Sequence, residues 1–103
     1  MKVKLSILER VTLLGILPSM ENYATIRVVS DLHALIGVGD KEAKRIGFKV
    51  EGDRVVWDTK KEREEEYDFG KFETDIIRDA LEKLDKDKKL EARHLSLFDK
   101  FVK

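Results

Sequence analysis

Two histidines, His33 and His94, are the side chains of this chain best suited to moving protons near neutral pH. An acid–base couple also needs a carboxylate beside the imidazole. Asp31 and Asp40 lie close to His33 in sequence, and Glu91 and Asp99 lie close to His94. Both histidines fall on segments with a structural pattern, and no spacing brings them together. One metal ion would need further ligands that no cluster supplies. There is no cysteine and no Gly-x-Ser-x-Gly elbow. Both histidines therefore read as surface or boundary residues. The expected catalytic set, metal set and cofactor set are each empty, and the chain reads as a non-enzyme.

Three other groups could carry chemistry. Asp53 with Asp58-Thr59-Lys60 loosely resembles the acid, acid-x-Lys pattern of metal-dependent nucleases. Five residues of strand would separate the two carboxylates by about 16 Å, too far to share a cation. Gly37-Val38-Gly39 suggests a dinucleotide loop, but position 42 is Glu and no strand–turn–helix unit surrounds it. It reads as a helix stop. Lys41, Lys44 and Arg45 recur at i, i+3 and i+4 on a short helical turn, with Arg54 on a hairpin beyond. That order suggests a winged helix-turn-helix with these four residues as phosphate contacts. A six-residue recognition turn, an acidic hairpin tip and no net positive charge stand against it. The aromatic side chains could stack on bases, but nearly all fall on faces assigned to the core.

The elements that would position these groups follow from periodicity and punctuation. Leu5 to Leu17 is apolar all round, so it must be a central helix or a helix covered by a partner chain. Pro18 ends it. A strand over Val3–Leu8 is a weaker alternative, since the period is not 2. Asn22 caps a helix over Tyr23–Ile36, closed by Gly37 and Gly39. Asp40 caps a turn over Lys41–Ile46, ended by Gly47. Phe48 to Asp58 reads as a hairpin with a Gly52-Asp53 turn, pairing Glu51 with Arg54, Val50 with Val55 and Phe48 with Trp57.

Residues 59–66 form an exposed charged connector. Residues 51–70 hold eight acids and four bases, a local charge of −4. The alternation of Tyr67 and Phe69 with Asp68 offers the hairpin a third strand. Phe72 to Lys88 and Leu90 to Val102 are helices, or one helix if Asp87-Lys88-Lys89 is no break. Asp79–Lys83 and Glu82–Lys86 are expected i, i+4 ion pairs. The expected core is Leu8, Val11, Leu14, Val28, Leu32, Leu35, Val50, Val55, Trp57, Ile76, Ala80, Leu84, Phe98 and Phe101.

The chain has 103 residues, 42% apolar and 41% charged, with 21 bases against 21 acids. That is one domain, 1–103, able to fold without disulfides or metal. No apolar run approaches the roughly 20 residues of a membrane span. Glu9 and Arg10 interrupt the N-terminal apolar stretch, so no secretory signal is expected. Polarity comes almost wholly from Lys, Arg, Glu and Asp, with one Asn and no Gln. That bias fits a thermophilic source.

The segment order resembles small tailed-phage proteins with no assigned role. The matching stretches are Glu9 to Pro18, Thr25 to Leu32, Phe48 to Trp57, Asp75 to Leu81 and Leu95 to Phe101. The resemblance implies a viral or prophage origin and no particular activity. The expected fold is α+β, mainly helical, with the hairpin packed on about four helices. The expected function is non-catalytic protein interaction in the cytoplasm, that of the host if the chain is viral. A protein partner or self-association through Leu5, Leu13 and Leu17 would use the surplus apolar surface of the first helix. Nucleic acid is the alternative partner, and no membrane or small-molecule ligand is expected.

Overall fold

The computed structural model describes residues 1–103, in an α+β fold dominated by helix. The elements are β1 (Lys2–Leu5), α1 (Ile7–Ile16), α2 (Tyr23–Ile36), α3 (Asp40–Ile46), β2 (Lys49–Glu51), β3 (Arg54–Val56), β4 (Glu65–Asp68), α4 (Lys71–Lys86) and α5 (Leu95–Phe101). Short 3-10 turns cover Thr59–Lys61 and Ala92–His94. The strands form two separate antiparallel pairs, β1 with β4 and β2 with β3.

The first of these pairs corrects the sequence expectation. Lys2-Val3-Lys4-Leu5 alternates with period 2, and its two apolar residues point inward. Its helical neighbour starts only at Ser6, which caps α1: the Ser6 hydroxyl accepts from Glu9 N–H, and the Glu9 carboxylate accepts from Ser6 N–H. This capping box divides the apolar block into strand and helix. Tyr67 does lie in a third strand, but that strand pairs with β1 and not with the hairpin. Charge and shape are both compatible with this register. Lys2 faces Asp68 and Lys4 faces Glu66, while Val3 faces Tyr67 on the other side. The end of the charged connector, Glu65 and Glu66, is therefore paired strand; only Thr59–Glu64 remains a link.

Leu5, Leu13 and Leu17 do not form a self-association face. They are 0%, 0% and 8% exposed, inside a core of 13 residues that also takes in Val3, Val29, Leu32, Ile36, Phe69, Ile76, Ile77, Leu81, Leu97 and Phe101. The all-round apolar helix is the central one: α1 packs against β1, α2, α4, α5 and the Ala92–His94 turn. Leu8, expected in the core, is instead half exposed. Leu14, Val28 and Phe98 only border the core, each partly buried against it. Phe69 and Phe101 meet edge to face at 5.5 Å.

Asn22 caps α2 as expected, its side chain accepting from Thr25 N–H at 2.9 Å. At the other end, a Cβ on residue 37 would stand 2.5 Å from the His33 carbonyl oxygen, so only glycine fits. Leu35 is exposed because Val29, Leu32 and Ile36 carry the buried stripe of α2. Gly39, not Asp40, precedes α3, and Gly47 ends it.

The hairpin has the expected register, Lys49 with Val56, Val50 with Val55 and Glu51 with Arg54. Gly52 adopts φ 62°, the first position of a II′ turn. Phe48 and Trp57 stack at 6.0 Å. Neither strand enters the core, and Val50 is 70% exposed. The Glu62 carboxylate anchors the hairpin instead, accepting from Trp57 Nε1–H at 3.1 Å and from Ile7 N–H at 2.6 Å. An anion at the first turn of α1 also complements the helix dipole.

α4 and α5 are separate helices. Lys88 takes a left-handed φ of 57° and Lys89 N–H closes on the Leu84 carbonyl, which ends α4 without glycine or proline. The two expected i, i+4 ion pairs of α4 do not close within 4 Å; Lys83 and Lys86 make no salt bridge.

Candidate interaction groove

Pro18 turns the chain away from α1, and Asn22 starts α2 four residues later. One side of α4 runs past this corner. Together they enclose a groove of about 740 Å³. Gly15, Ile16 and Pro18 come from the end of α1, Glu21 and Thr25 from the start of α2. From α4 and its end come Phe72, Asp75, Ile76, Asp79, Ala80, Lys83, Leu84, Asp87 and Lys89.

The α4 residues recur at i, i+3, i+4, i+7 and i+8, a single stripe along the helix. From Phe72 to Asp87 this stripe is about 22 Å long. Its apolar members are Phe72, Ile76, Ala80 and Leu84. A second apolar stripe, Ile77 and Leu81 with Thr74, is buried in the core. α4 thus has two apolar sides, and the fold fully covers one of them. Ile76 is the seam between the two, packed on the core and reaching the groove. Phe72 is 53% exposed at one end of the groove, and Ala80 sits between the larger Ile76 and Leu84.

The rim is acidic. Glu21, Asp75, Asp79 and Asp87 face Lys83 and Lys89, four carboxylates against two ammonium groups. None of these six side chains makes a salt bridge or a hydrogen bond within the chain.

The basic residues expected to contact phosphate lie elsewhere. Lys41, Lys44 and Arg45 are exposed on α3, and Arg54 is exposed on the hairpin. The Thr59–Lys61 turn packs on α3, where Arg45 Nη1–H donates to the Lys61 carbonyl at 2.9 Å. Lys60 and Lys61 thereby lie on a segment packed against α3. The sequence alone hides that, because they arrive from the far side of the hairpin.

Arg10 is the most heavily hydrogen-bonded side chain of the molecule. Arg10, 2% exposed, donates through Nε to the Ile36 carbonyl and through Nη2 to the Gly37 carbonyl, at 2.8 and 2.9 Å. Its two terminal nitrogens clasp both oxygens of Glu42, at 2.7 and 2.8 Å. Its guanidinium also lies 5.7 Å from the centre of the Tyr67 ring. The hydrogen bonds to Arg10 hold the Glu42 carboxyl below its ordinary range against burial, with help from Arg45 and Arg63. The same bonds hold Arg10 above its ordinary value. Burial pushes the Tyr67 hydroxyl up, and Glu65 and Glu42 add to that against Arg10.

The histidines stand apart. His33 is exposed on α2. His94 is buried, and its Nδ1 accepts from the Glu91 backbone N–H at 2.9 Å. The Glu91 carboxylate pairs with Arg93 instead. Near the base of α5, Glu9 accepts from Lys100 at 2.8 Å and from Ser6. Burial alone would raise its carboxyl; Lys100, Ser6 and Ser96 together bring it below the ordinary value. Asp58, the second acid of the nuclease-like pattern, caps the Thr59–Lys61 turn by accepting from Lys60 N–H.

The groove has a signal in the sequence. The doublets Ile76-Ile77 and Ala80-Leu81 stand four residues apart, followed by Leu84. Adjacent apolar residues in a helix point about 100° apart, so repeated doublets mark two sides and not one broad face. No helix of the molecule is long and apolar enough to cross a membrane. In comparisons with protein families, curated proteins and solved structures, the chain matches none.

Proposed function

We propose that the chain is a non-catalytic protein-interaction module that receives a helical segment of another protein in the groove along α4. One observation carries this: α4 has a second apolar stripe, in which Phe72 is exposed and Ala80 and Leu84 only half-buried, running beside the buried Ile76 and facing the groove. Apolar anchors at i, i+4 and i+8 suit a helix laid alongside them. No strand lines the groove, so strand addition is not the mode of recognition here. On the resemblance to phage proteins, the setting is that of a viral accessory protein in the host cytoplasm.

The test is selection from a displayed library of helical peptides against the wild-type chain and an Ala80→Arg variant. Ala80 is not fully buried, so the larger side chain fills the groove without entering the core. The proposal expects peptides enriched on the wild type that fail on Ala80→Arg while circular dichroism shows both proteins folded. Enrichment of the same peptides on both proteins overturns it.

A second reading is supported by the meeting of the Thr59–Lys61 turn with α3. It puts Lys60 and Lys61 beside Lys41, Lys44 and Arg45, with Arg54 on the adjacent hairpin. This basic face would contact nucleic-acid phosphates. It requires anisotropy of labelled DNA to rise at about 50 mM salt, to fall by orders of magnitude at about 200 mM, and to be lost in Lys44→Glu. A flat titration at the lower salt removes this reading.

A further inference from the structure

Building on the groove reading above, we infer that the helix it receives is cationic, with lysines or arginines flanking its apolar edge. Two kinds of carboxylate stand out in the fold. Those of Glu9, Glu42, Glu62 and Glu73 each accept at least one hydrogen bond within the chain. Others have no partner in the chain; most of these are spread over the surface, but four of them, Glu21, Asp75, Asp79 and Asp87, stand together on one groove. Lys83 and Lys89 offset only half of their charge. An apolar floor beside a surplus of free carboxylates favours an apolar edge bordered by positive charge and disfavours acidic or phosphate-bearing ligands.

The length fits too. A stripe of about 22 Å matches four turns of helix. A second copy of this chain is a poor occupant. Across a two-fold axis α4 would bring to the groove a stripe with the same surplus of carboxylates, net negative on net negative. α3 carries the bases but has only seven residues, about 10 Å of helix, too short to fill the groove. The occupant is therefore a segment of a different protein.

The experiment uses three fluorescein-labelled peptides of about 18 residues. They share leucines at i, i+3, i+4 and i+7 and differ only in flanking residues: lysine and arginine, serine, or glutamate. Each is titrated with the full chain by anisotropy at about 50 and 200 mM salt. The basic peptide is expected to bind most tightly, the glutamate peptide not at all. Asp75→Asn with Asp79→Asn should weaken the basic peptide about tenfold, a few-fold per exposed pair, and flatten its salt dependence. Both positions are outside the core, so these variants test charge without disturbing packing. If all three peptides bind alike and the double variant changes nothing, the inference of a cationic partner falls while the groove reading stands. If no peptide binds, or if the basic peptide binds Ala80→Arg unchanged, both fall. A dimer of the free chain in light scattering that Ala80→Arg dissolves would also overturn the inference, in favour of a second copy.

Discussion

Replacing Glu42 with Gln should be among the most destabilising single changes that leave every apolar core residue in place. Arg10 is almost wholly removed from water, and Glu42 supplies the only formal negative charge bonded to it. Removing one partner of a buried pair costs about 3–5 kcal/mol, because the other charge stays buried and uncompensated. Two features place this case at the lower end. The Ile36 and Gly37 carbonyls still accept from Arg10, and the amide oxygen of the substituted side chain can replace one of the two carboxylate bonds. A loss of about 3 kcal/mol follows, a large part of the 5–15 kcal/mol that holds a domain folded. In a chain of this size it lowers the melting temperature by roughly 12–24 °C.

Urea unfolding followed by circular dichroism gives the difference directly, and its pH dependence supplies an independent check. The folded Glu42 carboxyl lies below its ordinary value of 4.5, held there chiefly by the bonds to Arg10. A depressed acid adds stability that is full above the unfolded value and disappears as pH falls through the folded one. The gap between wild type and Glu42→Gln should therefore be constant near neutrality and close in that acid range. Glu9 is also depressed, but it is present in both proteins and cancels from the difference. A gap under about 0.5 kcal/mol at pH 7 would refute the argument, because that is the effect of an ordinary surface substitution. So would a gap that persists unchanged once the carboxyl is protonated.

Three further changes test the fold. Ser6→Ala removes one half of the capping box at α1 and should cost about 1 kcal/mol in the same denaturation assay. Lys88→Gly should stabilise by roughly 0.5–1 kcal/mol, since glycine adopts the left-handed φ of 57° without the penalty of a Cβ, while Lys88→Ala should leave stability nearly unchanged. Leu13→Ala should cost about 2–5 kcal/mol and Leu8→Ala much less, because Leu13 is buried and Leu8 is half exposed. Equal costs at the two leucines would mean that α1 turns a different side to the core.

The local chemistry of the chain is largely legible in its sequence. The hairpin register, the Asn22 cap, the Gly37 stop and the mainly helical α+β class all follow from patterns of fewer than 20 residues. What is not legible depends on distant pairing. Tyr67 alternates as a strand should, yet nothing local says whether its partner is the adjacent hairpin or the N-terminus more than 60 residues away. In the fold it is the N-terminus, which sets Lys2 and Lys4 across from Asp68 and Glu66 and the inward-facing Val3 across from Tyr67. Ser6-x-x-Glu9 is a readable helix start, but the apolar continuity from Leu5 to Leu17 masks it. The exposed Val50 shows the same limit in reverse. Val50–Val55 is a good cross-strand pair, but pairing alone does not bury a side chain, and the hairpin is anchored at Glu62 and Trp57 instead.

Zero net charge also conceals a division that only the fold creates. Arg10, Glu42, Glu9, Lys100 and Glu62 are drawn into contacts that tie α1 to α2, α3, α5 and the hairpin. Once those charges are engaged, bases outnumber acids on α3 and the turn beside it, and carboxylates outnumber bases along the groove of α4, while other charges of both signs stay spread over the surface. Neutral composition counts against binding a polyanion only when the charges are mixed over the surface. Here they are locally uneven, basic on α3 and acidic along the α4 groove, so neutral composition alone does not decide between the two readings proposed above. The groove reading proposed above rests on the apolar surface between the charges there, because desolvated apolar contact supplies affinity and charge at the rim supplies selectivity.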